Sequence, residues 1–204
     1  MLGKTNVKVK PNKKKPLIDY VEYIESTGTQ YIDTEIYPYK TKVEVTFQMP
    51  KKSSTCYVLA SWNANNERYY PVAYSSTEND FRTANRLNTY TKLGAYDGLI
   101  HTVIYNDEGN GVYYDNVLKA NVTDLTVKAQ NSIYLFAMHG SAGAQDFFVG
   151  RIMGVKITDK ETGTLLRDYR PALDENDVAC LYDEVEKRYY YNQGSGSFTG
   201  GASI

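Results

Sequence analysis

Apolar and polar residues alternate over short stretches of this chain, and the clearest stretch is residues 42–49. There Val43, Val45, Phe47 and Met49 fall on one side of an extended backbone, and polar residues fall on the other. A period of two is the period of a β-strand that buries one face. The pattern therefore predicts a strand with one face toward a hydrophobic core.

Further short stretches are rich in β-branched and aromatic residues, which favour strands. The predicted strands are residues 56–61, 68–74, 99–105, 112–118, 132–137 and 147–157. Clusters of turn-forming residues such as Gly, Asn and Asp punctuate the chain, and each cluster predicts a hairpin connection. These clusters are residues 107–111, 159–163 and 192–196. Since no long stretch keeps the 3.6-residue period of a helix, the pattern predicts an all-β antiparallel sandwich or barrel.

The first 16 residues differ in composition from the rest of the chain and contain no acidic residue. Their lysines are Lys4, Lys8, Lys10, Lys13, Lys14 and Lys15. The whole chain has a formal net charge of −1, so removing these six positive charges leaves −7 for residues 17–204. We predict an extended, lysine-rich arm over residues 1–16 and one sandwich domain over residues 17–204. A leader without a role is the alternative for the arm.

Composition limits the class of protein further. The chain has 204 residues, of which 42% are apolar, and this suits one globular domain. It contains 20 Tyr against 6 Phe, and tyrosine suits both pleated sheets and wet binding surfaces. The acidic body argues against nucleic acid as a partner, because that binding needs a basic face. With no secretory signal and no apolar run of about 18 residues, we expect neither Sec export nor a membrane span.

The cysteines, Cys56 and Cys180, are too few for a disulfide framework and lack the spacing of a metal site. We expect two free, buried thiols, with a single disulfide as the alternative. A calcium ion held by loop carboxylates is a weaker expectation, because nothing in their spacing resembles a ligand loop. The carboxylates considered for it are Asp97, Asp107, Asp146 and Asp174. The sequence therefore predicts no bound metal and no cofactor.

One long motif carries a resemblance to a known family. Residues 23–34, YIESTGTQYIDT, resemble the opening of concanavalin A-like, laminin-G-type jelly-roll domains found in bacteriophage and gut-bacterial proteins. The same resemblance returns at residues 99–104, 148–152, 178–183 and 189–199, so it covers nearly all of the chain except the arm. It implies a jelly-roll sandwich of two curved antiparallel sheets. It also implies that residues 23–34 and 189–198 are neighbours.

The family includes carbohydrate-binding modules, lectin-like adhesins, virion proteins and, more distantly, glycoside hydrolases, so the fold leaves the function open. The hydrolase branch displays its catalytic carboxylates as Glu-x-Asp-x-x-Glu, and residues 78–82 and 183–186 lack that spacing. His101 and His139 lie in no nucleophile motif. We expect His101 to be structural, because the corresponding strand of the family often has a histidine, and His139 to be a solvated loop residue or a contact at the rim of a site. The sequence predicts no enzyme.

The best candidate for a binding site is the segment 62–70, which offers flat aromatic faces for sugar rings and amides for sugar hydroxyls. Its candidate glycan-binding residues are Trp62, Asn63, Asn65, Asn66, Tyr69 and Tyr70. The alternative is that Trp62 and one tyrosine belong to the core and the asparagines merely turn the chain. Weaker candidates for the same surface are Tyr37, Tyr39, Arg82, Asn85 and Arg86.

Two functions compete on this basis. The first is a phage virion structural protein, a capsid decoration, fibre or adhesin, made in the host cytoplasm and displayed at the virion surface. Its arm would dock to other virion proteins, and its sandwich would meet host-surface glycans. The alternative is a free or cell-surface carbohydrate-binding protein, and a glycoside hydrolase is the weakest third. A homo-oligomer suits the first function by symmetry.

Overall fold

The structure, a computed structural model, describes residues 18–62, 68–85, 90–122 and 130–204. The arm with its lysines, and the predicted site residues Asn63, Asn65, Asn66 and Arg86, lie outside these ranges. Within them, no helix is both long and apolar enough to cross a membrane.

The described residues form 19 short strands. The first nine are β1 (Asp19–Tyr20), β2 (Ile24–Thr27), β3 (Ile32–Asp33), β4 (Thr41–Gln48), β5 (Cys56–Trp62), β6 (Arg68–Ser75), β7 (Asp80–Asn85), β8 (Tyr90–Ala95) and β9 (Ile100–Tyr105). The others are β10 (Gly111–Tyr114), β11 (Val117–Asn121), β12 (Tyr134–Leu135), β13 (Met138–Gly140), β14 (Gly143–Gln145), β15 (Val149–Asp159), β16 (Leu165–Leu173), β17 (Ala179–Asp183), β18 (Arg188–Tyr190) and β19 (Thr199–Gly200).

The strands form two sheets that pack face to face. The first sheet has the order β11-β10-β9-β4-β15-β16-β17-β18, with β1 beside β16, β2 beside β15 and β19 beside β2. The second sheet has the order β14-β13-β5-β6-β7-β8, with β12 between β3 and β5. The pairing is antiparallel apart from a short parallel contact between β13 and β5. The predicted two-sheet antiparallel sandwich is therefore confirmed.

Aromatic and branched side chains fill the space between the sheets. Val43, Val45 and Phe47 of β4 are fully buried, as their alternation predicts. The Phe47 ring meets the ring of Phe81 from the second sheet edge-on at 5.1 Å, and the ring of Phe148 at 6.2 Å. The core therefore lies between the inner faces of the two sheets, which leaves both outer faces open to solvent or ligands.

The strands β7, β8, β10 and β11 differ from the sequence prediction. Residues 112–118 were expected to form one strand, but they form the hairpin of β10 and β11 around Asp115 and Asn116. Both turn residues have positive φ, 49° and 65°, which is the conformation of a tight type I′ hairpin turn. The prediction was wrong because Asp and Asn tolerate this left-handed backbone and so can form a tight turn within an apparent strand. Their polar side chains did not break the alternation of polar and apolar residues from which one strand was predicted. The strands β7 and β8 were not predicted at all.

The two ends of the domain lie side by side, as the family resemblance implies. Thr199 of β19 pairs with Glu25 of β2. The buried Gln30 amide bridges the two segments, since its Oε1 accepts from the Ser26 hydroxyl and its Nε2 donates to the Ser195 carbonyl. The cluster at residues 192–196 is consequently not a hairpin connection, because β18 and β19 pair with different strands. Its turn residues instead form hydrogen bonds with the loop after β2.

Candidate functional site

The outer face of the second sheet carries a group of aromatic and guanidinium side chains that we call the aromatic face. It consists of Tyr57, Trp62, Arg68, Tyr70, Arg82 and Tyr90. These residues come from four adjacent strands, β5 to β8. Since neighbouring strands lie about 4.8 Å apart, the four strands span roughly 14 Å.

Strand register aligns these side chains in rows across the sheet. Trp62 stands opposite Arg68. Tyr70 stands opposite Ala84, which stands opposite Tyr90. Side chains that face each other across antiparallel strands share one side of the sheet, so each row presents its members to the same space.

A second row runs parallel to the first across the same strands. Tyr57 stands opposite Ala73, Ala73 opposite Arg82, and Arg82 opposite Lys92. One alanine, Ala84, therefore separates Tyr70 from Tyr90, and another, Ala73, separates Tyr57 from Arg82. This arrangement follows from register, which single-strand patterns do not reveal.

Small residues form the floor between the larger side chains. Ala60, Ala73 and Ala84 are buried on this outer side, together with Met138. The larger rings and guanidinium groups around them cover these side chains, which are at most 6% exposed. The aromatic face is thus a surface of packed rings and guanidinium groups above a buried layer of small side chains.

Cation–π contacts fix the positions of two arginines and two aromatic rings on this face. The guanidinium carbon of Arg68 lies 5.2 Å from the centre of the Trp62 ring, and that of Arg82 lies 4.0 Å from the centre of the Tyr90 ring. Tyr57 and Tyr70 meet edge-on at 5.4 Å between ring centres. Such pairs orient flat rings and leave polar edges for a ligand.

Asp80 anchors the charged half of the face from below. Its side chain is 4% exposed, its Oδ1 lies 2.5 Å from Arg82 Nε, and its Oδ2 lies 3.3 Å from Lys92 Nζ. The hydrogen bond to Asp80 raises the pKa of Arg82 above its usual value. Arg82 therefore stays charged, with its planar group fixed between the carboxylate and the Tyr90 ring.

The hydroxyls of Tyr57 and Tyr70 stay protonated at neutral pH. Burial raises the pKa of Tyr57 to about 12. Burial also raises the pKa of Tyr70, against an opposing effect of the charges on Arg68 and Arg82. Each hydroxyl can therefore both donate and accept a hydrogen bond, as sugar hydroxyls require.

Of the predicted glycan-binding residues within the described ranges, Trp62 and Tyr70 lie on the aromatic face and Tyr69 does not. The Tyr69 side chain points into the core, is 2% exposed, and its hydroxyl lies 2.8 Å from the Thr41 hydroxyl. Adjacent residues of a strand face opposite sides, so Tyr69 and Tyr70 cannot both reach one ligand. The prediction for Tyr69 is therefore wrong.

The weaker candidates are divided in the same way. Arg82 belongs to the aromatic face, whereas Tyr37 and Tyr39 lie in the connection between β3 and β4, where Lys40 covers the Tyr39 ring at 5.0 Å. Tyr57 and Tyr90 were missed.

Both histidines lie in strands. His101 is buried, with Nδ1 2.7 Å from Asp115 and Nε2 2.8 Å from Asp97, which agrees with its predicted structural role. His139 lies in β13 rather than in a loop, stacked at 3.7 Å on the Tyr134 ring. Burial lowers the pKa of His139, so its imidazole is neutral at pH 7.

The other predicted features have simple outcomes. Cys56 and Cys180 are free and buried, as expected. Burial raises the pKa of both thiols to about 12, so neither is reactive at neutral pH. In the part of the chain that the structure describes, no group of three or more His, Cys, Asp or Glu residues could hold a metal ion.

Comparison with known proteins gives information about the fold and not about the function. No protein-family model matches this chain, and no curated protein matches it in sequence. Among solved structures, a "putative carbohydrate binding protein" from Bacteroides ovatus superposes with a TM-score of 0.57 at 9% identity over 91% of this chain. This chain spans 62% of the length of that one. The chain is therefore a two-sheet β-sandwich that shares its fold with that protein.

Proposed function

We propose that this protein is a non-enzymatic carbohydrate-binding protein that holds its ligand on the aromatic face. The observation that carries the proposal is the register of β5 to β8, which aligns Trp62, Tyr70 and Tyr90 with two guanidinium groups around a floor of alanines. The fold it shares with a protein described as carbohydrate binding supports the same conclusion.

The chemistry of the face suits a sugar. A pyranose ring has one apolar side made of C–H groups, which packs on a flat aromatic ring, and a rim of hydroxyls, which needs directional partners. Trp62 and Tyr90 offer rings, while Arg68 and Arg82 offer N–H donors already oriented by neighbouring groups. Tyr70 is only 7% exposed, so it supports the face from within the layer of packed side chains. Because the groups are oriented before the ligand arrives, little conformational entropy is lost on binding.

Among the described residues of this face, Asp80 is the buried carboxylate, and its position fits binding without hydrolysis. Glycosidases need a general acid and a second carboxylate flanking the scissile bond. Asp80 is held by Arg82 and Lys92 and is buried beneath them, so it positions these cations and does not reach a ligand.

A glycan array followed by calorimetry tests the proposal. We expect at least one oligosaccharide to bind with a sub-millimolar Kd, and Tyr90→Ala and Trp62→Ala each to weaken that binding about tenfold, or about 1.4 kcal/mol. Tyr37→Ala is the matched control, because Tyr37 is also an exposed tyrosine but lies in the connection between β3 and β4, not on the strands β5 to β8. Absence of binding across the array, or equal losses in all three variants, would count against the proposal.

A finer proposal is that this domain is displayed on a phage virion and attached through the arm. Two sequence features support it, the resemblance to phage proteins and the contrast between six arm lysines and a body of charge −7. A basic segment of this kind suits an acidic particle surface. Deleting residues 1–16 should then abolish incorporation into particles without lowering the Tm, and unchanged incorporation would refute the attachment role.

A further inference from the structure

A second aromatic depression lies on the outer face of the first sheet, and we call it the tyrosine groove. It has a volume of about 360 Å³, and its lining includes three tyrosines. Its lining residues are Ile18, Asp174, Glu175, Asn176, Tyr182, Lys187, Tyr189 and Tyr191. Ala179 and Leu181 of β17 point into the core. Because side chains alternate along a strand, Tyr182 faces the opposite side, away from the core. The groove and the aromatic face are therefore on opposite sides of the molecule.

The rings of the groove form a continuous series. Tyr182 and Tyr189 meet edge-on at 5.1 Å, and Tyr189 and Tyr191 lie 6.1 Å apart. The Tyr191 hydroxyl donates to Asp174 Oδ2 at 3.0 Å, and Asp174 is itself fixed by the backbone N–H groups of Asn176 and Val178. Tyr191 remains 43% exposed, so its ring is available to a partner.

The charge beside these rings is negative. Asp174 and Glu175 line the groove, and its one lining cation, Lys187, is paired with Glu184 at 2.9 Å. Aromatic rings flanked by carboxylates attract ammonium groups through both the ring face and the charge. Grooves lined by aromatic rings also bind proline-containing segments, whose stiff backbone loses little entropy on docking.

The N-terminal segment has the matching chemistry and joins the described chain at the groove. Residues 4–16 contain six lysines, Pro11 and Pro16, and no acidic residue. Ile18, which lines the groove, follows this segment, and the pairing of Asp19 with Leu173 fixes the chain beside Asp174. At about 3.3 Å per extended residue, the segment is long enough to cross the groove.

We propose that the tyrosine groove is a binding site for a basic, proline-containing peptide, and that its occupant is residues 4–16 of the same chain. Tethering at Ile18 makes the contact intramolecular, which gives it a high effective concentration. A particle surface that takes up the arm would then compete with the groove for it. The site stands apart from the aromatic face, so its test does not depend on carbohydrate binding.

Photocrosslinking in the full-length protein tests this site. Tyr191 is replaced with p-benzoylphenylalanine, and the control protein carries the same photoreactive residue at Tyr37, which is 58% exposed and is not among the residues that line the groove. After irradiation, we expect peptide mapping to find residues 4–16 crosslinked to position 191 within monomers, and no such product from position 37. Equal Tm values confirm that both proteins fold.

Two changes in the groove and the arm test the chemistry. Replacing Lys13, Lys14 and Lys15 with serine, or making Glu175→Lys at the exposed rim, should lower the crosslinking yield about fivefold at low salt. A crosslinked dimer would show that the arm of a second copy occupies the groove, and this result would overturn the intramolecular contact. Crosslinks elsewhere, no crosslink, or yields unaffected by these charges would overturn the site itself.

Discussion

At the scale of single residues, Asp80 has the largest influence on the candidate site. It is almost fully buried, yet it carries a charge, and burying a charge is costly unless it is paired and hydrogen-bonded. Arg82 and Lys92 supply that pairing. The cost of placing this carboxylate beneath the sheet surface is thus offset by fixing the guanidinium that faces the ligand.

We predict that Asp80→Asn lowers the free energy of unfolding by about 3 kcal/mol, because Arg82 loses its buried partner. Carbohydrate binding should weaken as well, since the Arg82 side chain is no longer held against Tyr90. Urea unfolding and calorimetry measure the two effects. Lys92→Gln is the matched control, because the Lys92 side chain is 60% exposed and its removal should change stability by less than about 1 kcal/mol.

At the scale of elements, turns and bulges decide which residues meet. The ladder between β5 and β6 shifts register between Tyr57 and Leu59 and again between Leu59 and Ser61. Each shift changes which side of the sheet the following residues face. As a result, Tyr57, Ala60 and Trp62 share the outer face although they are not all two residues apart.

The β10–β11 hairpin allows a direct test of its turn. Asn116→Gly should leave stability unchanged or raise it slightly, because glycine adopts the required positive φ without strain. Asn116→Val should lower the free energy of unfolding by about 1–2 kcal/mol, because a β-branched residue resists that backbone conformation. Urea midpoints of the two variants provide the comparison, and similar values for both would show that the turn tolerates other conformations.

At the scale of the whole molecule, tyrosine serves the core and both outer surfaces. Tyr74 and Tyr169 are fully buried between the sheets, Tyr70 and Tyr90 belong to the aromatic face, and Tyr191 belongs to the tyrosine groove. A phenol can fill a core, stack on a ligand and donate a hydrogen bond. The high tyrosine content is therefore explained by several sites rather than one.

The buried tyrosines predict alkaline unfolding. Burial raises the pKa of Tyr57, Tyr134 and Tyr190 to about 12, against an ordinary value of about 10. A group with a raised folded pKa contributes stability that is complete below its unfolded pKa and is lost as the pH rises through its folded pKa. The urea midpoint should therefore be level from pH 7 to about 9 and fall from about pH 10 upward.

Absorbance of tyrosinate near 295 nm should follow the same course. The buried tyrosines should ionise together with unfolding, and only the exposed ones before it. If all 20 tyrosines titrated in one step near pH 10 while the urea midpoint stayed constant, the buried hydroxyls would not couple ionisation to stability.

The sequence by itself determined the fold class and much of the strand pattern, because a period of two in hydrophobicity is a local property that register does not alter. It also identified Trp62 and Tyr70, since aromatic residues next to polar ones signal a wet surface. Only the tertiary structure decided that Tyr69 is core, that Tyr57, Arg82 and Tyr90 complete the face, and that Ile18 enters beside three tyrosines. These outcomes depend on bulges, register and the pairing of distant strands, which arise from contacts between segments far apart in the chain.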